Sequence, residues 1–248
     1  MSSPPPGTRD MPAPAAAPSQ ARTTLAARLA IRLSLFFAAA ASILFLTAGT
    51  WHYWQAWLFL VLVFVPVTAI YVVFLVADPA VVERRMEGDE PGDEQKGLVR
   101  WARPLFFAAF LVPGLDHRMG WSAVIAAALP MWLTVGGDFL ILASILFLGW
   151  VIDYNHFAAR TIHVEPGQTV IKRGPYCLIR HPLYAGSLVL WLATPLALGS
   201  LVALPAFALL IPFYVLRLLN EEKMLRRELA GYSEYCRSTP FRLIPFIW

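Results

Sequence analysis

Residues 174–186 combine a turn signal, two basic side chains and two phenols between long apolar segments. Pro182 disfavours helical geometry at the residue before it, so a helix is predicted to begin at Pro182. Arg180 and His181 then lie at the helix N-terminus, where backbone N–H groups and the helix dipole attract an anion. Tyr184 follows within the first turn. The spacing indicates an anion site, although an Arg and a Tyr that anchor a helix at a membrane interface would give the same pattern.

A second polar cluster, Asn220-Glu221-Glu222, comes after a further apolar hairpin. Arg217 and Glu221 are spaced i, i+4 and therefore share one face of a helix. Glu221 and Glu222 could simply be the solvated end of a helix. This part of the chain is otherwise rich in Lys and Arg, however, so an acidic pair here suggests a specific role. Because the two clusters flank the hairpin, they return to the same side of a membrane, which favours an enzyme site.

The elements that must position these clusters are membrane helices. The chain has 248 residues, of which 58% are apolar and 15% charged, whereas soluble domains carry about 25% charged residues. Its mean hydropathy is +0.59. A span needs about 20 apolar residues. Six segments approach or exceed that length: Ile31–Ala48, Trp54–Ala77, Pro104–Leu115, Met131–His156, Leu183–Leu198 and Leu201–Leu219.

The predicted fold is therefore all-α: a polytopic transmembrane bundle of about five or six spans with a C-terminal helical hairpin. The third segment is short, and residues 121–129 read as an interfacial or kinked lead-in to the fourth. Beyond Glu222, an apolar stripe predicts an amphipathic cytoplasmic helix lying on the membrane or over the site. The stripe consists of Leu225, Leu229, Tyr232 and Tyr235.

The basic residues predict the topology. With the N-terminus inside and six alternating spans, nineteen Lys and Arg residues fall on the inner side and only Arg118 falls outside. By the positive-inside rule, both termini and both polar clusters are cytoplasmic, at the inner membrane if the source is bacterial. This bias accounts for the net charge of +4 and so gives no reason to expect nucleic-acid binding. Cys177 and Cys236 would lie in the reducing compartment, which argues against a disulfide.

Other polar residues give weaker signals. The three histidines His156, His163 and His181 match no metal-ligand spacing, so no metal is expected. Asp116-His117-Arg118 reads as a polar cap on an outer loop. Asp138 lies within the fourth apolar segment, and acids inside membrane spans are candidates for function. Near the end of a helix it could also simply reach water, and the sequence leaves both interpretations open.

The combined motif resembles a known family. Gly-Pro-Tyr-x-x-x-Arg-His-Pro-x-Tyr-x-Gly, a helical hairpin, Glu-Glu, then Gly231-Tyr232-x-x-Tyr235 and Arg242-x-x-Pro245 are similar to the isoprenylcysteine carboxyl methyltransferase and phospholipid methyltransferase superfamily of integral membrane enzymes. The resemblance runs from about Asn155 to Trp248. The chain is expected to have three parts. Its composition, rich in Pro, Ala and Ser at the start, predicts a disordered cytoplasmic tail (1–30), and the hydropathy predicts N-terminal transmembrane helices (31–130). The resemblance implies a methyltransferase catalytic core (131–248).

The resemblance implies S-adenosylmethionine as the methyl donor. The expected cofactor-binding residues are Gln168, Thr169, Val170, Ile171, Tyr176, Arg180, His181, Pro182, Leu183 and Tyr184. Gln168 stands where the eukaryotic enzyme has a histidine. The donor's carboxylate suits the Arg180-His181 helix start, and its sulfonium would gain from a tyrosine face. The chain has no Gly-x-Gly-x-x-Gly motif, which argues against a soluble Rossmann methyltransferase.

The resemblance also places the methyl acceptor beside Arg217 and Glu221. Arg217 would hold a carboxylate acceptor, whereas an amine or thiol acceptor must lose a proton, for which Glu221 or Glu222 is the candidate base. The expected activity is closest to protein-S-isoprenylcysteine carboxyl O-methylation of a lipophilic or small acceptor that approaches from the membrane lipid. Phospholipid N-methylation and small-thiol S-methylation are the nearest alternatives.

Two readings from other classes remain. One is a sterol-type membrane reductase, which shares a related C-terminal architecture but uses a nicotinamide cofactor, and whose larger bundle fits poorly in 248 residues. The other is a membrane protein without catalytic activity. A secondary transporter is disfavoured because the sequence has no paired repeat.

Overall fold

The computed structural model describes residues 19–86, 93–126, 130–156 and 167–248. Within those ranges the chain is helical with no strand, which confirms the predicted all-α class. A short 3-10 turn spans Gly174–Cys177. In chain order the helices are α1 (Ser19–Ala48), α2 (Trp54–Ala77), α3 (Pro79–Met86), α4 (Asp93–Met119), α5 (Trp121–Ala126), α6 (Met131–Tyr154), α7 (Pro182–Ala197), α8 (Leu204–Ala208), α9 (Leu210–Glu228) and α10 (Tyr232–Ser238).

Five helices among the described residues are long and apolar enough to cross a membrane. Their bounds are Gln20–Ala48, Trp54–Ala77, Lys96–Met119, Met131–Tyr154 and Leu204–Glu228, and α7 is a shorter apolar helix beside them. Many large apolar side chains on these helices are exposed, among them Leu35, Val65 and Phe139. Apolar surface of this extent suits lipid rather than water. The molecule is an integral membrane protein of five or six spans, as predicted.

Two helices extend beyond the predicted segments. α1 begins at Ser19, so residues 19–30, which were expected to belong to the tail, are helical. Leu25 and Leu29 fix this extension by packing in an apolar cluster with Val81 and Val82 of α3. α4 runs from Asp93 through the short third segment, with Pro104 and Pro113 inside it. The hydropathy pattern marks the lipid-contacting part of a helix, not the polar turns that continue it.

α6 and α7 make the most extensive helix–helix contact among the described residues. A Cβ atom built on Gly137 of α6 would lie 2.6 Å from the backbone nitrogen of Ala197 in α7. Only a glycine permits this approach, because any side chain would enter the backbone of the neighbouring helix. α7 is thereby held against α6 at its C-terminal end, while its N-terminal end carries Arg180 and His181.

The predicted hairpin exists, but its second arm is divided. α8 and α9 together make one span from Leu204 to Glu228. They are separated at Leu209. Pro212 has no N–H to donate to the preceding turn, which is a local reason for the break. The predicted amphipathic helix is likewise two elements, because the chain turns at Gly231 with φ of 81° between α9 and α10.

A buried carboxylate ties the α4–α5 turn to the α7–α8 turn. Asp116 is 2% exposed. It accepts hydrogen bonds from the backbone N–H of Ser122 at 2.7 Å, from the Ser122 hydroxyl, and from the Ser200 hydroxyl at 2.5 Å. The Ser122 hydroxyl oxygen in turn accepts the N–H groups of Leu201 and Val202, at 2.9 and 3.2 Å. The expected polar cap at Asp116 is thus a tertiary latch.

We expect Asp116→Ala to lower the free energy of unfolding by about 3 kcal/mol, since it leaves buried donors on both serines without an acceptor. Thermal unfolding in detergent would measure the change. Asp153→Ala, at an exposed site on α6, is the matched control and should leave the melting temperature nearly unchanged. Equal melting temperatures for the two variants would show that the latch does not stabilise the bundle.

Candidate functional site

The polar clusters that flank the hairpin in sequence meet at one buried carboxylate. Glu222 of α9 is 3% exposed. Its Oε1 lies 3.0 Å from Nη1 of Arg180 and 3.3 Å from Nε2 of His181. As predicted, α7 begins at Pro182 with His181 as its N-cap residue. The start of α7 is therefore joined to the polar end of α9.

The C-terminal segment completes this cluster. The backbone N–H groups of Arg180 and His181 donate to the carbonyls of Phe241 and Arg242, at 2.9 and 3.0 Å. Arg242 Nε donates to the second oxygen of Glu222 at 3.2 Å. The Arg242 guanidinium also lies 5.2 Å from the centre of the Trp248 ring, within range for a cation–π contact. Glu222 thus faces three basic side chains from two separate segments.

Two buried donors of this cluster have no hydrogen-bond partner among the described residues. They are Arg180 Nε and the Tyr232 hydroxyl. Tyr232 is 4% exposed and belongs to the apolar cluster beneath the site. Buried polar groups are nearly always paired in folded proteins, so unpaired donors beside an excess of positive charge indicate a place for an anionic group.

Tyr176 forms the wall of the site next to α6. Its hydroxyl accepts a hydrogen bond from Nδ2 of Asn155 at 3.0 Å, and its carbonyl accepts one from the Tyr235 hydroxyl at 2.7 Å. Burial raises the pKa of Tyr176 to about 12, so the phenol stays neutral at physiological pH. Gly174 precedes it with φ of 58°, and a Cβ there would lie 2.6 Å from the Tyr154 ring. The turn therefore requires glycine.

A second polar group lies one helical turn further along α7. The Tyr184 side chain interacts electrostatically with the side chains of Arg217 and Glu221. Its ring lies 5.7 Å from the His181 ring and 5.9 Å from that of Tyr214. The Tyr214 hydroxyl accepts the indole N–H of Trp191 at 2.7 Å. Aromatic rings thus run from the ionic cluster into the apolar bundle.

The connector before the 3-10 turn is described from Gly167 onward and is irregular. Val170 and Ile171 are partly buried and pack against the cluster that contains Tyr176, as does Leu183 of α7. Gln168 is partly buried, whereas Thr169 is exposed. Pro182 is buried at the first position of α7. The predicted cofactor-binding residues therefore share one end of the bundle, with Thr169 the most peripheral.

Sequence reasoning missed three contributors to this site: Asn155, Tyr232 as a donor, and Arg242 as an ion-pair partner. Arg242 carried a signal, since it closes the motif as Arg-x-x-Pro. No local pattern indicated that its guanidinium would reach Glu222. His163 lies outside the described residues, and His156 pairs instead with Asp78 at 2.9 Å. Within the described ranges, no three His, Cys, Asp or Glu side chains are grouped so as to hold a metal.

The fold and the site define an integral membrane protein with a buried ionic cluster at one end of a helical hairpin. Residues 124–230 match the phospholipid methyltransferase family, a member of the isoprenylcysteine carboxyl methyltransferase-like superfamily. The match contains α6, the connector, α7, α8 and the whole of α9, and so includes Arg180, His181 and Glu222. It confirms the resemblance seen in the motif and supports a membrane methyltransferase.

The chain is also similar to a curated protein that is named as a reductase and not as a methyltransferase. The chain is 32% identical to the Delta(14)-sterol reductase of Mus musculus over 94 aligned residues. These aligned residues make up 36% of this chain and 22% of the relative. The chain thus spans about a fifth of the length of that relative.

We expect Glu222→Gln to release the C-terminal segment, because the neutral amide leaves buried Arg180 without its counter-ion. Removing one partner of a buried ion pair costs about 3–5 kcal/mol. Hydrogen exchange at residues 239–248 would report the release as faster exchange. Glu228→Gln, an exposed site on the same helix, is the control. Unchanged protection in Glu222→Gln would mean that other contacts hold the segment.

Proposed function

We infer that this protein is an S-adenosylmethionine-dependent methyltransferase whose active site lies at the Glu222 end of the bundle. The observation that carries the inference is the coincidence of the family match with the buried cluster of Arg180, His181 and Glu222. The excess of Lys and Arg on the segments at this end supports a cytoplasmic location. The methyl acceptor that the motif resemblance favours is the carboxylate of an S-isoprenylcysteine.

The residues of the cluster fit the charged end of S-adenosylmethionine. That group carries a carboxylate and an ammonium. Arg180 Nε and the Tyr232 hydroxyl are buried donors without partners among the described residues, and a carboxylate would accept from both. Glu222 supplies an acceptor for the ammonium. Val170 and Ile171 offer apolar surface for the rest of the molecule. When bound, the cofactor supplies an electrophilic methyl group.

Arg217, Glu221 and Glu222 were expected to act on the methyl acceptor. The ion pairs of Glu222 indicate another role for this residue. Its two oxygens face Arg180, His181 and Arg242. A carboxylate held by several cations is a weak base, because protonation would break those ion pairs. We therefore assign Glu222 to cofactor binding, as an acceptor for the ammonium and as the group that positions Arg180 and His181, and not to proton removal.

Arg217 and Glu221 remain the candidates at the acceptor. Tyr184 interacts electrostatically with both of them and lies beside His181, so it connects the acceptor group to the cofactor-binding group. A carboxylate acceptor is already a nucleophile and needs only to be held and aligned, which Arg217 can do. An amine or thiol acceptor must also lose a proton, and Glu221 can take it. Proton removal by Glu221 would be needed in the two alternative reactions, phospholipid N-methylation and thiol S-methylation.

The partial identity to a Delta(14)-sterol reductase favours a second candidate, a membrane reductase that uses a nicotinamide cofactor. The same cluster could bind the phosphates of such a cofactor, since Arg residues recognise phosphate as well as carboxylate. The two functions differ in the cofactor that binds, and so a binding measurement separates them.

We expect the protein in nanodiscs to bind S-adenosylmethionine saturably, and His181→Ala to weaken that binding about tenfold, or roughly 1.4 kcal/mol. Isothermal titration calorimetry would measure both, with NADPH as the competing cofactor. His52→Ala, at an exposed site near the opposite end, is the matched control. Binding of NADPH and not of S-adenosylmethionine would favour the reductase, and binding of neither by folded protein would favour a non-catalytic role.

With an S-prenylated cysteine as the acceptor, we expect Arg217→Met to lower kcat/KM about 100-fold, because the carboxylate loses its counter-ion. Glu221→Gln should have little effect on this substrate but should lower kcat for an amine or thiol, where a proton must leave. Both variants should bind S-adenosylmethionine as the wild type does. Loss of cofactor affinity in Arg217→Met would contradict its assignment to the acceptor.

A further inference from the structure

The turn at residues 244–247 exposes large apolar side chains. Ile244 is 51% exposed, and Phe246 and Ile247 are 87% and 77% exposed. Residues 243–248 carry no charged side chain. Folded proteins seldom leave several large apolar groups together in water, and such a patch marks a contact with lipid or with another protein. Most of this apolar surface is therefore available to a partner other than the described residues of the chain.

The backbone of the turn is closed by its own hydrogen bonds. The N–H groups of Leu243 and Ile244 donate to the carbonyl of Trp248, at 2.9 and 3.0 Å, and the Trp248 N–H donates to the Ile244 carbonyl at 3.1 Å. Phe246 lies within the turn at φ of 66°, the one positive value at a non-glycine residue among those described. This conformation is uncommon and costs energy, and strain of this kind often accompanies function. The turn is thus an ordered support for exposed apolar side chains.

The C-terminal segment lies at the level where the membrane helices end. The carbonyl of Phe241 accepts the N–H of Arg180, two residues before α7 begins, and α7 is apolar from its first turn. The contact between the start of α6 and the end of α7 shows that these helices are antiparallel, so the end of α6 lies at the same level. Trp150 and Tyr154 are exposed there, and these residue types are enriched at membrane interfaces. The lipid-facing surface of the bundle therefore continues to the level of the segment that carries the turn.

We propose that residues 244–247 form an interfacial anchor, which inserts Phe246 and Ile247 among the lipids of the adjacent leaflet. Lipid is the partner that this position favours, because the turn is tied to the start of a membrane helix. Arg242 precedes the turn and pairs with Glu222. Insertion therefore holds the C-terminal segment and this ion pair in place over the site. The anchor does not depend on which reaction the site carries out.

Electron paramagnetic resonance on the full chain in phosphatidylcholine nanodiscs would locate the turn relative to the membrane. A nitroxide label on Phe246→Cys, in a Cys177→Ser and Cys236→Ser background, should be more accessible to apolar oxygen than to a water-soluble nickel chelate. The same label on Glu234→Cys, at an exposed site on α10, is the matched control and should show the opposite preference. A label at residue 246 that prefers the nickel chelate lies in water and overturns the proposal. Shielding from both reagents would indicate cover by protein, such as a second copy of the chain, and overturns it as well.

A second measurement needs no label and tests the link to the site. We expect Phe246→Ser combined with Ile247→Ser to raise the hydrogen-exchange rates of residues 239–243 several-fold in nanodiscs, because the segment loses its contact with lipid. Arg237→Ser, at an exposed site on α10, is the control and should exchange as the wild type does. Wild-type protection in the folded double variant would overturn the proposal that insertion holds the segment over Glu222.

Discussion

The buried carboxylate of Glu222 is the constraint on which the rest of the site depends. Burying an ion costs several kcal/mol, which is comparable to the whole free energy of unfolding of a small domain. The basic partners of the Glu222 carboxylate must therefore be placed accurately. Arg180 and His181 come from the start of α7, and Arg242 comes from the C-terminal segment. One side chain of α9 therefore fixes the positions of two other segments of the chain.

The bundle has a different kind of polar anchor at each end. At the Glu222 end, basic side chains outnumber the carboxylate, and two donors remain unpaired among the described residues. At the other end, both carboxylate oxygens of Asp116 accept hydrogen bonds from Ser122 and Ser200. A satisfied network stabilises, whereas an unsatisfied one marks a place for a ligand. The contact between Gly137 and Ala197 holds α7 against α6 close to the satisfied anchor.

The separation of roles along α7 and α9 explains how the proposed chemistry would be organised. His181 and Glu222 belong to the ionic cluster, while Tyr184, Arg217 and Glu221 form a second group beside it. The aromatic row through Tyr214 and Trp191 continues from this second group into the apolar bundle. A polar cofactor and a lipophilic acceptor could thus reach adjacent positions from different solvents, and alignment of this kind supplies much of the rate in a displacement reaction.

The sequence by itself determined the membrane helices, the start of α7 at Pro182 and the meeting of the two polar clusters. These features follow from short-range rules: hydropathy, the geometry imposed by proline, and the requirement that the two ends of a hairpin return to one side. The sequence did not determine that α1 begins at Ser19, because contacts with α3 extend it. It also did not separate Glu221 from Glu222. The two are neighbours with the same chemistry, yet α9 directs one toward Tyr184 and the other toward Arg180, His181 and Arg242. Only tertiary structure decides which face of a helix meets which partner, because that choice depends on segments distant in the chain.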